Sequence, residues 1–193
     1  MNRGFPPTPL KVSAREHGEA AENYVLRVLG QIHCLTTAGF SIALHSRYGV
    51  PTYLWTNMSV AFLDPYDQAA MLLVDPTVRW ARENRGWTHW SDLHAMDTSG
   101  VSDLAERCGM RHGVTVSIGR APRRTPVGMP RMTLGNFARP DRPFRHDEAQ
   151  WLHDQLNALH FETDPLQPLS TEDRLFLKRL SMTMVGHLVP QPE

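Results

Sequence analysis

The chain has 193 residues, 41% of them hydrophobic, with Lys+Arg and Asp+Glu both at 20. That length suits one domain with a short appendage, and the apolar share supports a core that buries roughly 70% of the unfolded surface. The neutral balance excludes the basic excess of a nucleic-acid binder, no run approaches the ~18 apolar residues of a membrane span, and two cysteines make no disulfide framework.

Residues 1–13, with three prolines in "MNRGFPPTPL", read as a loose lead without the apolar core of a signal peptide. From about Ala14 to Thr37, Ala21, Val25, Val28, Ile32 and Leu35 recur at helical spacing, and Gly39 suits the helix terminus. Cys34 inside this helix reads as a buried free thiol, which fits a reducing compartment and hence a cytoplasmic location. "FSIALHSRY" and "PTYLWTNM" read as a hairpin, with Pro51 at the start of its second strand.

Two Asp-Pro pairs follow, Asp64-Pro65 and Asp75-Pro76. Asp is a good N-cap and Pro suits the first helical position, so each pair is read as opening a helix, the second closing at Gly86. "SGVSDLAERCG" is a further short helix with Gly109 past its end, and "HGVTVSIGR" and "PRMTLGNFAR" are strands joined by a long loop. Ala149, Leu152, Leu156 and Leu159 mark a helix from about His146 to Phe161, and Ser170 or Thr171 opens a last one. Helices and strands do not alternate one by one. The reading is therefore an α+β fold: an antiparallel sheet of four or five strands with helices on both faces.

The chain offers little for catalysis or metal binding. It has ten histidines but no His-Glu-x-x-His or Cys-x-x-Cys spacing, and no Gly-x-Ser-x-Gly elbow. Glu106 and Arg107 give Cys108 no clear thiolate activation. No enzyme, metal or cofactor is expected. The remaining chemistry is an aromatic and acidic set, Phe62, Tyr66, Asp75, Trp80, Trp87 and Trp90. It suits either an ordinary capped helix with core tryptophans or an apolar pocket with a few orienting polar groups.

Asp75-Pro76, then "WSDL" beginning at Trp90, then "GMRHGVTVSI" from Gly109, together resemble the autoinducer-binding domain of LuxR-type quorum-sensing regulators. The likeness covers roughly residues 14–162. It implies an α-β-α sandwich of GAF/PAS type and a small-molecule signal, an N-acyl-homoserine lactone or a relative, as ligand. It also implies roles. Asp75 accepts a hydrogen bond from the ligand amide, Tyr66 donates to its acyl carbonyl, and Trp90 walls the lactone ring. Val78, Val101, Ala105 and Asn136 line the pocket, Pro76 opens the helix, and Gly113 serves close backbone packing.

Two departures matter. Phe62 stands where the family usually has a tryptophan whose indole bonds the lactone carbonyl, and Met58 stands where it usually has a tyrosine. Phenylalanine has no donor. One lost neutral hydrogen bond costs about 0.5–1.5 kcal/mol, roughly a 2- to 10-fold loss of affinity. Either another donor replaces it or the head group is less polar. Second, family members continue into a helix-turn-helix domain. Here residues 163–193 hold a linker and "LSTEDRLFLKRLS", similar to the opening of that domain's first helix, and no recognition helix. The Met1 start and divergent tail favour a protein without its own DNA reader. The expected partners are a signal molecule and a second copy or a full-length regulator, with no direct DNA or membrane contact. The alternative is a ligand-independent antagonist that pairs with a full-length regulator through Leu152, Leu156, Leu159, Phe176 and Leu180. A third reading, an enzyme acting on an acyl amide or lactone, has no nucleophile motif behind it.

Overall fold

Five strands lie in one antiparallel sheet with the order β2-β1-β5-β4-β3. They are β1 (Gly39–Ser46), β2 (Tyr53–Thr56), β3 (Gly86–His89), β4 (His112–Gly119) and β5 (Met132–Arg139). The computed structural model describes residues 19–47, 49–119, 131–164 and 169–182. The expected long loop between β4 and β5, the whole N-terminal lead (residues 1–13), the middle of the last linker and the tail from residue 183 lie outside these residues.

Alternation along the strands splits the sheet into two unlike faces. Phe40, Ile42 and Leu44 of β1, Tyr53 and Trp55 of β2, Val114, Val116 and Ile118 of β4 and Phe137 of β5 point into the larger core. That core is closed by α1 (Ala21–Leu35), α5 (His146–Glu162) and α6 (Thr171–Met182). The opposite face carries Ser41, Ala43, Leu54, Thr56, Leu134 and Asn136, and is roofed by α2 (Val60–Gln68), α3 (Pro76–Glu83) and α4 (Val101–Arg107). Helices therefore cover both faces of an α+β sandwich, as the residue pattern predicts. Among the described residues no helix is long and apolar enough to cross a membrane.

Several local expectations need correction. Asp64-Pro65 does not open a helix. It lies inside α2, which starts after Ser59, whose carbonyl accepts the N–H groups of Phe62 and Leu63. A proline within a helix costs about 3 kcal/mol in isolation. The earlier start is favoured because it buries Phe62 and packs Tyr66 against Met58, Leu104 and Met110. Asp75-Pro76 does open α3, but that helix ends at Glu83. Gly86, at φ +102°, begins β3, a strand the residue pattern did not indicate. The second hairpin strand starts at Tyr53, two residues after Pro51. Cys34 is exposed, because the buried stripe of α1 runs through Tyr24, Val25, Val28, Leu29, Ile32 and Leu35 and misses it.

The face expected to serve a pairing partner is not free. Leu152, Leu156 and Leu159 are fully buried in this chain's own larger core, Leu180 is 1% exposed, and Phe176 is partly buried against the same cluster. Leu177 of α6 is buried there too, and α6 lies against β2 and α1.

The N-terminus of α5 is held by a buried ion cluster. Glu148, 0% exposed, accepts hydrogen bonds from the two terminal guanidinium nitrogens of Arg142, at 2.8 and 2.6 Å, and from the Arg145 backbone N–H at 2.8 Å. Burial works to raise the Glu148 carboxyl, but the Arg142 bonds and the Arg145 N–H outweigh it and hold it below its ordinary 4.5. A depressed folded-state value stabilises above that pH, and the contribution is lost as pH falls through the folded value. Glu148→Gln is expected to lower stability by about 2 kcal/mol at neutral pH and to flatten the fall of melting temperature below about pH 4.5. Melting curves across pH 2–7 check both.

Candidate signal-binding site

The helix-roofed face of the sheet encloses a cavity of about 320 Å³, near the lower end of the ~300–1,000 Å³ typical of ligand pockets. All nine residues expected to line a pocket, Met58, Phe62, Tyr66, Asp75, Val78, Trp90, Val101, Ala105 and Asn136, line this one cavity. Trp80 and Trp87 do not. Trp80 packs with Val78, Ala81 and Leu134 beside it. Trp87 lies on β3 opposite Val116, and so points to the other face of the sheet, where its indole donates to Gln150 of α5 at 3.3 Å. Trp90, after β3 has turned into a 3-10 segment (Trp90–Met96), is the tryptophan that reaches the cavity.

Asp75 performs two local tasks at once. One carboxylate oxygen, Oδ1, accepts the Thr77 N–H at 2.7 Å and caps α3. The other, Oδ2, accepts the Tyr66 hydroxyl at 2.7 Å. The residue is only 4% exposed, so these bonds compensate its desolvation. Tyr66 leans over Phe62, with ring centroids 5.3 Å apart. Burial first, then the Asp75 charge and hydrogen bond, push the phenol far above its usual range, so it remains a donor at any physiological pH.

A hydrogen-bonded relay crosses the floor of the cavity. The Trp90 indole donates to Thr115 Oγ1 at 3.1 Å, and Thr115 donates to Asn136 Oδ1 at 2.8 Å. Asn136 Nδ2 donates to Thr77 Oγ1 at 3.1 Å. From there the Thr77 N–H leads to Asp75 and so to Tyr66. The sheet register makes this possible. Thr56, Ser41, Asn136, Thr115 and Thr88 are successive cross-strand partners, one polar row over all five strands.

Gly113 sits beside this row on β4. A Cβ built there would fall inside the Trp90 indole, so the ring lies directly on the backbone. Sequence reasoning named neither Thr77 and Thr115 of the relay nor Ser41, Thr56, Leu54, Leu63, Leu93 and Leu134 of the walls. The one available signal is a polar residue flanked by apolar or small ones within each strand, as in "FSI", "VTV" and "GNF". Among the described residues no group of His, Cys, Asp and Glu is placed to hold a metal ion.

A sandwich of this topology, enclosing an apolar cavity with one capped carboxylate, defines a small-molecule sensor domain. Residues 26–163 match the model of the autoinducer binding domain family, and the chain belongs to that family as a LuxR-type autoinducer-binding domain. Solved structures agree in fold. SdiA of Escherichia coli is 21% identical with a TM-score of 0.51, over 80% of this chain and 68% of that one. CepR2 of Burkholderia cenocepacia, described as an N-acylhomoserine lactone dependent LuxR family transcription factor, is 16% identical with a TM-score of 0.55, over 79% and 87%. A solution structure of Escherichia coli SdiA residues 1–171 is 21% identical with a TM-score of 0.50, over 75% and 87%. No curated sequence matches the chain. Domains of this family are receptors for small-molecule signals, not enzymes.

Proposed function

We propose that this chain is the receptor for a neutral N-acylated signal, an N-acyl-homoserine lactone or a related acyl amide, which enters the cavity between sheet and helices and completes the core there. One observation carries the reading. Asp75 is a buried carboxylate, bonded once on each oxygen, facing a mostly apolar cavity. An ionised carboxylate has about four acceptor sites, so Asp75 can take a ligand N–H in addition to Tyr66 and Thr77. The apolar lining residues Ala43, Leu54, Leu72, Val78 and Leu134 supply surface for a hydrocarbon chain.

Binding to the folded state alone raises stability by about 2.7 kcal/mol at a ligand concentration 100 times Kd. For a domain of this size that is roughly 5–10 °C in Tm. The test is a melting series of the 193-residue chain with acyl-homoserine lactones and simple acyl amides of graded length, beside mass spectrometry of small molecules extracted from the purified protein. A shift that saturates with concentration supports the receptor. A flat response across the whole series, with nothing extracted, ends it.

A further inference from the structure

Building on that receptor reading, we infer that the cavity selects an acyl amide whose amine side is an apolar carbocycle or aryl ring, in preference to a homoserine lactone. The ground is a matching of donors with acceptors.

Charge comes first. Asp67 and Asp75 line the cavity, and no Lys, Arg or His does so among the described residues. An anionic ligand would meet the buried Asp75 carboxylate without a counter-ion among the described lining residues. Free fatty acids and phosphate head groups are therefore disfavoured.

Donors come next. The Trp90 indole is committed to Thr115, the Thr115 hydroxyl to Asn136, and the Tyr66 hydroxyl to Asp75. The Thr56 hydroxyl donates to the Phe40 carbonyl, and the Ser102 side chain is bonded to Asp97. The side-chain donors left without an acceptor among the described residues are the hydroxyls of Ser41 and Thr77 and the second amide hydrogen of Asn136. All three share one spot, since Ser41 is the cross-strand partner of Asn136 and Thr77 accepts its bond.

This polar spot, beside the Asp75 carboxylate, is complementary to one amide: its N–H to Asp75, its carbonyl to the hydroxyls. The facing wall, made by Met58, Phe62, Leu93, Val101 and Ala105, presents no side-chain donor. A second carbonyl carried on a lactone ring goes unpaired there. A buried unpaired carbonyl weakens binding by about tenfold or more. A ring of the same size without that carbonyl avoids the loss and packs on Phe62 and Met58.

The experiment measures Kd by titration calorimetry for N-octanoyl-homoserine lactone, N-octanoyl-cyclopentylamine (the same ring size without the carbonyl) and octanoate. It uses the full chain and Phe62→Trp, which adds an indole N–H to the wall. The expected result is an amide at least about tenfold tighter than the lactone, no octanoate binding, and a ratio that narrows or inverts in Phe62→Trp. A lactone that binds the wild type as tightly as the cyclopentyl amide, or more tightly, overturns the inference and leaves the receptor reading standing. Octanoate binding as tightly as the amides overturns the charge argument. If neither amide binds, both readings fall together. The wild-type ratio decides the matter even if Phe62→Trp does not fold.

Discussion

Asp75→Asn is expected to fold nearly as stably as the wild type and yet to bind its signal about 10- to 100-fold more weakly. The asparagine carbonyl can keep the Thr77 N–H that caps α3, and the hydroxyl of Tyr66 can turn to accept from the new amide. What disappears is the acceptor for the ligand N–H, replaced by a donor pointed at a donor. A hydrogen bond to a charged group contributes about 1.5–3 kcal/mol, which sets that range. Asp75→Ala separates the two tasks. It loses the cap, about 0.5–2 kcal/mol, and strands the buried Tyr66 hydroxyl, about 1–3 kcal/mol, so the unliganded chain should melt well below the wild type. Melting curves of both variants with and without ligand give the comparison. A ligand shift in Asp75→Asn equal to that of the wild type would show that the carboxylate is a cap alone.

The second large effect is steric. Gly113→Val places a branched side chain where the Trp90 ring lies. The position does not need a left-handed backbone, so the clash is isolated from backbone strain. Overpacking costs about 1–3 kcal/mol. Displacing the indole also breaks its bond to Thr115 and removes one wall of the cavity. The expected result is a lower melting temperature and no ligand shift. Trp90→Ala in the same chain removes the obstacle, so the double variant should be less destabilised than the two single losses added together. Strict additivity would mean that ring and glycine do not touch.

The placement of Ser41 and Thr115 shows why part of the site was hidden in the sequence. Each is a small hydroxyl residue between apolar neighbours in its strand, and nothing local tells it from the other hydroxyl residues of β1 and β4. They meet at Asn136 only because β1, β5 and β4 pair in one register. The tryptophans teach the same lesson. Trp87 and Trp90 are three residues apart, but strand alternation turns Trp87 toward α5, while the 3-10 segment after β3 swings Trp90 over Gly113. β3 itself is four residues long, too short for a period to register.

What the amino-acid order determined by itself was whatever rests on short-range chemistry. The Asp75-Pro76 helix start follows from capping, the two faces of β1 and β4 from alternation, the apolar stripe of α1 from helical spacing, and the missing donor at Phe62 from the side chain alone. What only the tertiary structure decided was which of two identical Asp-Pro pairs starts a helix and which scattered hydroxyls form one relay. It also decided that the apolar face of α5 and α6 is spent on this chain's own core. Those outcomes turn on burial against residues distant in sequence, and their free energies match or exceed the local preferences they override.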